Sequence, residues 1–152
     1  MIYANGHNRL GSENMLRDGE NKRLHLKMIE DVISRMGSNS FLIKGWSITA
    51  IGGLITLYVA KVKYSWSYDL LWIALGICLM FWISDAYYLQ KERQYRKLYD
   101  LVRNKKEEDI DFSMHIPKTS ESIFCCMCRP IFIFSYVPIL LVLLIILYID
   151  KP

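Results

Sequence analysis

Lys44 and Asp85 are charged residues set beside long apolar stretches, each about one helical turn inside the polar end of its stretch. A lone charge at the centre of a bilayer costs on the order of 2.5–3.5 kcal/mol, and less near the headgroups. An opposite charge at the same depth, or a wet cavity, lowers that cost. The pair therefore offers two kinds of chemistry. One is a structural ion pair between helices; the other is a charged ring at a pore mouth when several copies assemble. For Lys44 alone, snorkelling of the ammonium to the headgroups would also serve.

The other reactive side chains form weaker patterns. Cys125, Cys126 and Cys128 place three thiols within one short stretch, a set able to carry lipid or a soft metal. A zinc site wants four ligands at spacings such as C-x2-C, and no second pair follows. Reduced interfacial thiols and no metal are the expectation. Cys78 reads as a small apolar residue within a span. His7, His25 and His115 are far apart and make no ligand motif. There is no phosphate-cradling glycine loop, no nucleophile elbow and no H-E-x-x-H, so the chain is expected to be no enzyme, with no catalytic residues and no cofactor.

The elements that must hold Lys44 and Asp85 are legible in the clustering of apolar residues. The 53% hydrophobic composition concentrates in Trp46–Ala60, Leu70–Leu89 and Ile131–Ile149. The last block carries no charge and approaches the ~20 helical residues that cross ~30 Å of hydrocarbon. Lys and Arg crowd the segments before Trp46 and between Gln90 and Pro130, whereas the first two blocks are separated by Lys61 and Lys63 alone among charged residues up to Asp69. This asymmetry predicts a cytosolic N-terminus and 90–130 segment, with the short connector and the C-terminus outside. Basic residues flanking spans are explained by topology and anionic lipid, so no direct nucleic-acid partner is expected.

The predicted order is a flexible tail over 1–19, a cytosolic amphipathic helix over 20–37, a first span over 41–60 and a second over 69–89. A cytosolic helix continuing the second span follows over 90–106, then a connector over 107–129 and a third span over 130–149. Gly37 suits a helix C′ position and Ser38, Asn39 or Ser40 an N-cap, which predicts a bend between the first two helices. From Ile77 to Ile116 neither Gly nor Pro interrupts the chain, so the second helix should run on out of the membrane. Ile29, Val32, Ile33 and Met36 fall at i, i+3, i+4 and i+7, as do Tyr95, Leu98, Tyr99 and Val102. These two stripes are expected to pack on each other, within one subunit or across a subunit boundary. The third span, nearly devoid of polar atoms, is expected to face lipid, with Pro138 kinking it.

Gly45, Thr49, Gly52, Gly53 and Thr56 recur along the first span at three- and four-residue spacing. Lipid tails give helices no hydrophobic drive to associate, so small residues supply packing through close backbone approach. That face reads as a helix contact, within the chain or in an oligomer, or as a pore lining.

Two longer strings carry a family likeness. Val32-Ile33-Ser34-Arg35-Met36-Gly37-Ser38-Asn39-Ser40-Phe41-Leu42-Ile43-Lys44-Gly45-Trp46 fits V-I-x-R-M-x-x-N-S-F-L-x-K-G-W. Phe81 through Asp100 fits F-W-x-x-D-A-Y-Y-L-x-x-E-R-x-x-R-K-L-Y-D. Over roughly Asn21 to Phe112 the chain resembles small bacterial membrane proteins. Its helix–span–span–helix layout is similar to the SLATT class, two-span effectors that accompany nucleotide-second-messenger and other anti-phage systems and are thought to perforate the inner membrane when triggered. The third span is a departure from that class. The resemblance implies that Lys44, Asp85, Glu92, Arg93, Arg96 and Asp100 matter to the fold or to a switch.

The expectation is an all-α membrane protein with three transmembrane helices, an N-terminal amphipathic helix and a long cytosolic extension of the second span. It would sit in the bacterial inner membrane as a homo-oligomeric pore-forming or membrane-disrupting effector of anti-phage defence. A cytosolic defence protein or nucleotide-signal partner would gate it. The competing expectation is a non-conducting anchor that recruits a cytosolic partner.

Overall fold

The computed structural model describes residues 19–116 and 122–150; the tail expected over 1–19 lies outside them save for Gly19. Helix α1 runs Glu20–Ala60, α2 Ser67–Asn104, α3 Ile123–Met127 and α4 Pro130–Ile149, with one 3-10 turn at Glu107–Asp109. At 1.5 Å per residue, α4 is about 30 Å long, one hydrocarbon thickness, whereas α1 and α2 are each about twice that. All three are long and apolar enough to cross a membrane.

The bend expected at Gly37–Ser40 does not occur: α1 is one unbroken helix of 41 residues. The cost of an interior glycine, about 1 kcal/mol, is outweighed here by what helical phase delivers. Ser40 and Lys44 are i and i+4, on one face, and both reach the same carboxylate. A cap at Ser40 would turn its hydroxyl back to the backbone and lose that register. Helix α2 continues past Leu89 to Asn104, with Asp69 in its first turn and Arg103 in its last, as the helix dipole favours. Pro130 opens α4, where the missing N–H costs nothing, and the helix carries on through Pro138.

The chain divides into two compact units, one holding described residues 19–35 and 92–116, the other 36–91 and 122–150. The second is a three-helix bundle of α1, α2 and α4. Its core joins Ile51 and Tyr58 of α1, Leu71, Ala74 and Cys78 of α2, and Phe132, Tyr136, Leu143 and Leu147 of α4. The third span, expected to face lipid, leaves most of its apolar window exposed and also gives one face to the core. Its positions 132, 136, 143 and 147 form one helical stripe, seated against the small side chains Ala74 and Cys78 of α2. Uniform apolarity hid that stripe, because a helix apolar on every side offers no polar face against which a buried one stands out.

Beyond this core the bundle is apolar on its outside. The apolar windows of α1, α2 and α4 are only 17%, 28% and 22% buried. Phe41, Trp46, Ile48, Trp72, Phe134 and Tyr148 are among the large side chains left exposed. Soluble monomers do not carry apolar surface on this scale; a multi-pass membrane protein does.

In the other unit Ile29, Leu98 and Val102 form a buried cluster, with Leu26, Ile33, Tyr95, Tyr99, Ile110 and Met114 packed around it. Ile110 and Met114 come from the segment after α2, which by sequence is a plain connector. That segment folds back because its acidic residues have work at the start of α1. Glu107 Oε1 accepts the backbone N–H groups of Asn21 (3.0 Å) and Lys22 (3.2 Å), and Lys22 Nζ donates to the Lys105 carbonyl (2.7 Å). Two of the orphan amides of α1 are thus capped from 86 and 85 residues away.

Candidate functional site

The polar interior of the bundle is organised by Asp85 of α2, which is fully buried. Lys44 Nζ of α1 lies 2.6 Å from Asp85 Oδ2, and Tyr136 of α4 donates its hydroxyl to the same oxygen at 3.2 Å. Asp85 Oδ1 accepts from Ser40 Oγ. The lysine is held on two further sides: its ammonium donates to Ser40 Oγ at 2.9 Å and sits 4.8 Å from the centroid of the Phe132 ring. Ser47, also buried, donates to the Lys44 carbonyl at 2.8 Å. Trp82 stacks on Tyr136 at 5.9 Å and donates its indole N–H to the Met127 carbonyl at 3.3 Å.

One acid, one base and three hydroxyls thus tie α1, α2 and α4 at a single level. Charge-assisted hydrogen bonds in a dry interior are strong, while an unpaired charge there is costly. The cluster is built as a lock. Each of the three hydroxyls donates to a carboxylate or a carbonyl.

Lys44 and Asp85 were legible as a pair; Ser40, Ser47, Phe132 and Tyr136 were missed. The available signals were the i, i+4 spacing of Ser40 and Lys44, and a tyrosine well inside an otherwise apolar span.

Among the described residues, nothing packs on the small-residue face of α1. Gly45, Thr49, Gly52, Gly53 and Thr56 are all exposed, and a Cβ built on any of the three glycines meets nothing within 4 Å. Thr49 donates to the Gly45 carbonyl at 3.0 Å and Thr56 to the Gly52 carbonyl at 2.8 Å, so both hydroxyls are spent on their own helix. Gly52 also edges an apolar groove of about 290 Å³ with Ile48, Ile55 and Pro138.

Of the stripe residues, Ile29, Ile33, Tyr95, Leu98, Tyr99 and Val102 meet in the apolar cluster; Val32 is buried elsewhere and Met36 is half-buried. Beside that cluster His25 is fully buried, a residue the sequence did not mark. Its Nε2 lies 3.2 Å from the Ser113 carbonyl, which can only accept, so Nε2 carries the proton. Phe112 covers the ring at 5.5 Å from a left-handed backbone conformation, φ 53°. Two buried atoms, His25 Nδ1 and Glu107 Oε2, make no hydrogen bond among the described residues. Next to them Asp111 accepts the Ser113 N–H and faces Lys105, and its carboxyl is held below the usual range, chiefly by that N–H.

Of the residues singled out by the family likeness, Glu92 and Arg96 pair at 2.7 Å along α2, while Asp100 lines a groove with Glu30, Ile33 and Tyr99. Arg93 is engaged as well. Cys125 and Cys128 are exposed, Cys78 and Cys126 buried. Among the described residues no group of three or more His, Cys, Asp or Glu is placed to hold a metal ion. Comparisons with protein-family models, with curated proteins and with solved structures returned no match.

Proposed function

We infer that this is an oligomeric inner-membrane effector of bacterial anti-phage defence, which perforates or disrupts the bilayer when its cytosolic helices are engaged. The observation that carries the reading is the uncovered small-residue face of α1, Gly45, Thr49, Gly52 and Thr56. Three helices are too few to enclose a conduit, so any pore needs several copies, and close helix approach in lipid needs such a face. In this reading the N-terminus and the far end of α2 are cytoplasmic, and a defence protein or nucleotide signal acts there. The Lys44–Asp85 lock holds each resting bundle together.

A second reading has its own support. Because Thr49 and Thr56 turn their hydroxyls to their own carbonyls, the face presents methyl groups and glycine rather than a wet lining. That suits a non-conducting anchor whose α1 face touches a partner helix.

Dye release from liposomes holding the purified chain, with and without candidate activators, separates the two. Gly45→Leu and Gly52→Leu project into open space, so each should leave the fold of the single chain intact while abolishing cross-linked oligomers and leakage together. Leakage retained in both variants would remove the oligomeric-pore reading; oligomers without leakage under any activator would leave the anchor.

A further inference from the structure

The end of the bundle opposite Asp85 carries a second polar site. There α1 ends, α2 begins and α4 ends, so the site lies at the edge of the apolar windows of all three. A groove of about 440 Å³ is lined by Tyr58, Tyr64, Ser65, Tyr68 and Asp150. Tyr58 donates its hydroxyl to Asp150 Oδ2, which fixes the carboxylate at the groove. Tyr68 donates to the Leu147 carbonyl at 3.2 Å, joining the groove to the C-terminal, partially negative end of α4.

A carboxylate, a helix C-terminus and aromatic faces all favour a cation. The Tyr64 ring already shows this: Lys61 Nζ of the same chain stands 5.6 Å from its centroid. Among the described lining residues the groove holds one carboxylate, with serine hydroxyls and tyrosine faces beside it. A single charge next to π faces suits an organic ammonium better than a bare metal ion, which takes several oxygen ligands and usually more than one carboxylate. The connector that supplies Tyr64 and Ser65 also carries Lys61 and Lys63, both exposed. A ligand whose ammonium enters the groove therefore meets positive charge on the same connector.

We propose that this groove binds the headgroup of an aminophospholipid, its ammonium against Asp150 and the tyrosines, its phosphodiester against Lys63 and against Lys61, which turns from the Tyr64 ring to meet it. The site rests on the bilayer placement of the three spans and not on pore opening, so a chain that releases no dye still answers the test.

Purified full-length protein in detergent is titrated with phosphatidylethanolamine or phosphatidylglycerol, and bound lipid is counted by native mass spectrometry. The ethanolamine lipid should be retained about tenfold more tightly. Asp150→Asn should bring it down to the level of the glycerol lipid, and so should Tyr64→Leu, which alters an exposed ring and leaves the core untouched. Equal retention of the two lipids by the unaltered chain, or undiminished retention by both variants, would overturn the proposal. Displacement by soluble phosphoethanolamine at the same concentration as the lipid would overturn the lipid assignment in favour of a free headgroup.

Discussion

In the bundle, buried Asp85 meets two donors from α1, Lys44 and Ser40, and one from α4, Tyr136. In the unit of residues 19–35 and 92–116, buried His25 uses one ring nitrogen and Glu107 one carboxylate oxygen, while the second atom of each stays without a partner among the described residues. A buried polar atom left unsatisfied costs about 1–3 kcal/mol. The first arrangement is a closed set of hydrogen bonds. The second leaves two polar atoms that a new donor or acceptor could satisfy.

The largest expected break in this contrast is at Asp85. Asp85→Leu strands the Lys44 ammonium and should destabilise the bundle by about 3–5 kcal/mol, whereas Lys44→Met/Asp85→Leu should recover most of that loss; thermal unfolding in detergent of both variants checks the pair. A double variant no better than the single one would mean that Ser40 and Tyr136, not the ion pair, carry the lock. Next, Ile29→Ala empties the apolar cluster of the other unit and should cost about 2–4 kcal/mol. Its effect should appear as faster hydrogen exchange in residues 95–114, with the bundle amides unchanged.

Smaller still, Glu107→Ala should cost about 1 kcal/mol by uncapping α1, seen as faster exchange at Asn21 and Lys22. The least effect is expected at Asp111. Its folded-state pKa lies below the unfolded one, so its stabilisation is complete above about pH 4 and disappears as pH falls through the lowered value. Asp111→Asn should flatten that acid limb of the 105–116 segment without moving the neutral-pH midpoint.

The spans, the continuity of α2 and the meeting of Lys44 with Asp85 were legible because charge and apolar length are properties of single stretches. The stripes at Ile29 and Tyr95 were legible for the same reason. What stayed hidden depends on partners far apart in the chain. Ser38, Asn39 and Ser40 look like caps until Asp85 is known to claim Ser40. The buried face of α4 has little contrast along the sequence beyond Tyr136. Glu107 and Ile110 look like loop residues until α1 supplies the amides and the apolar surface they cover. Helix propensity near Gly37 was overruled by a tertiary carboxylate, which no local pattern announces.

The cap that Glu107 places on Asn21 and Lys22 also has a consequence for biogenesis. During synthesis the opening turn of α1 leaves the ribosome long before residue 107 exists, so its amides must frame water until translation has passed both α1 and α2. Completion of the earliest helix is then a late event in the maturation of the nascent chain. A ribosome stalled just short of Glu107 would hold a polypeptide in which the first turn of α1 is still fraying.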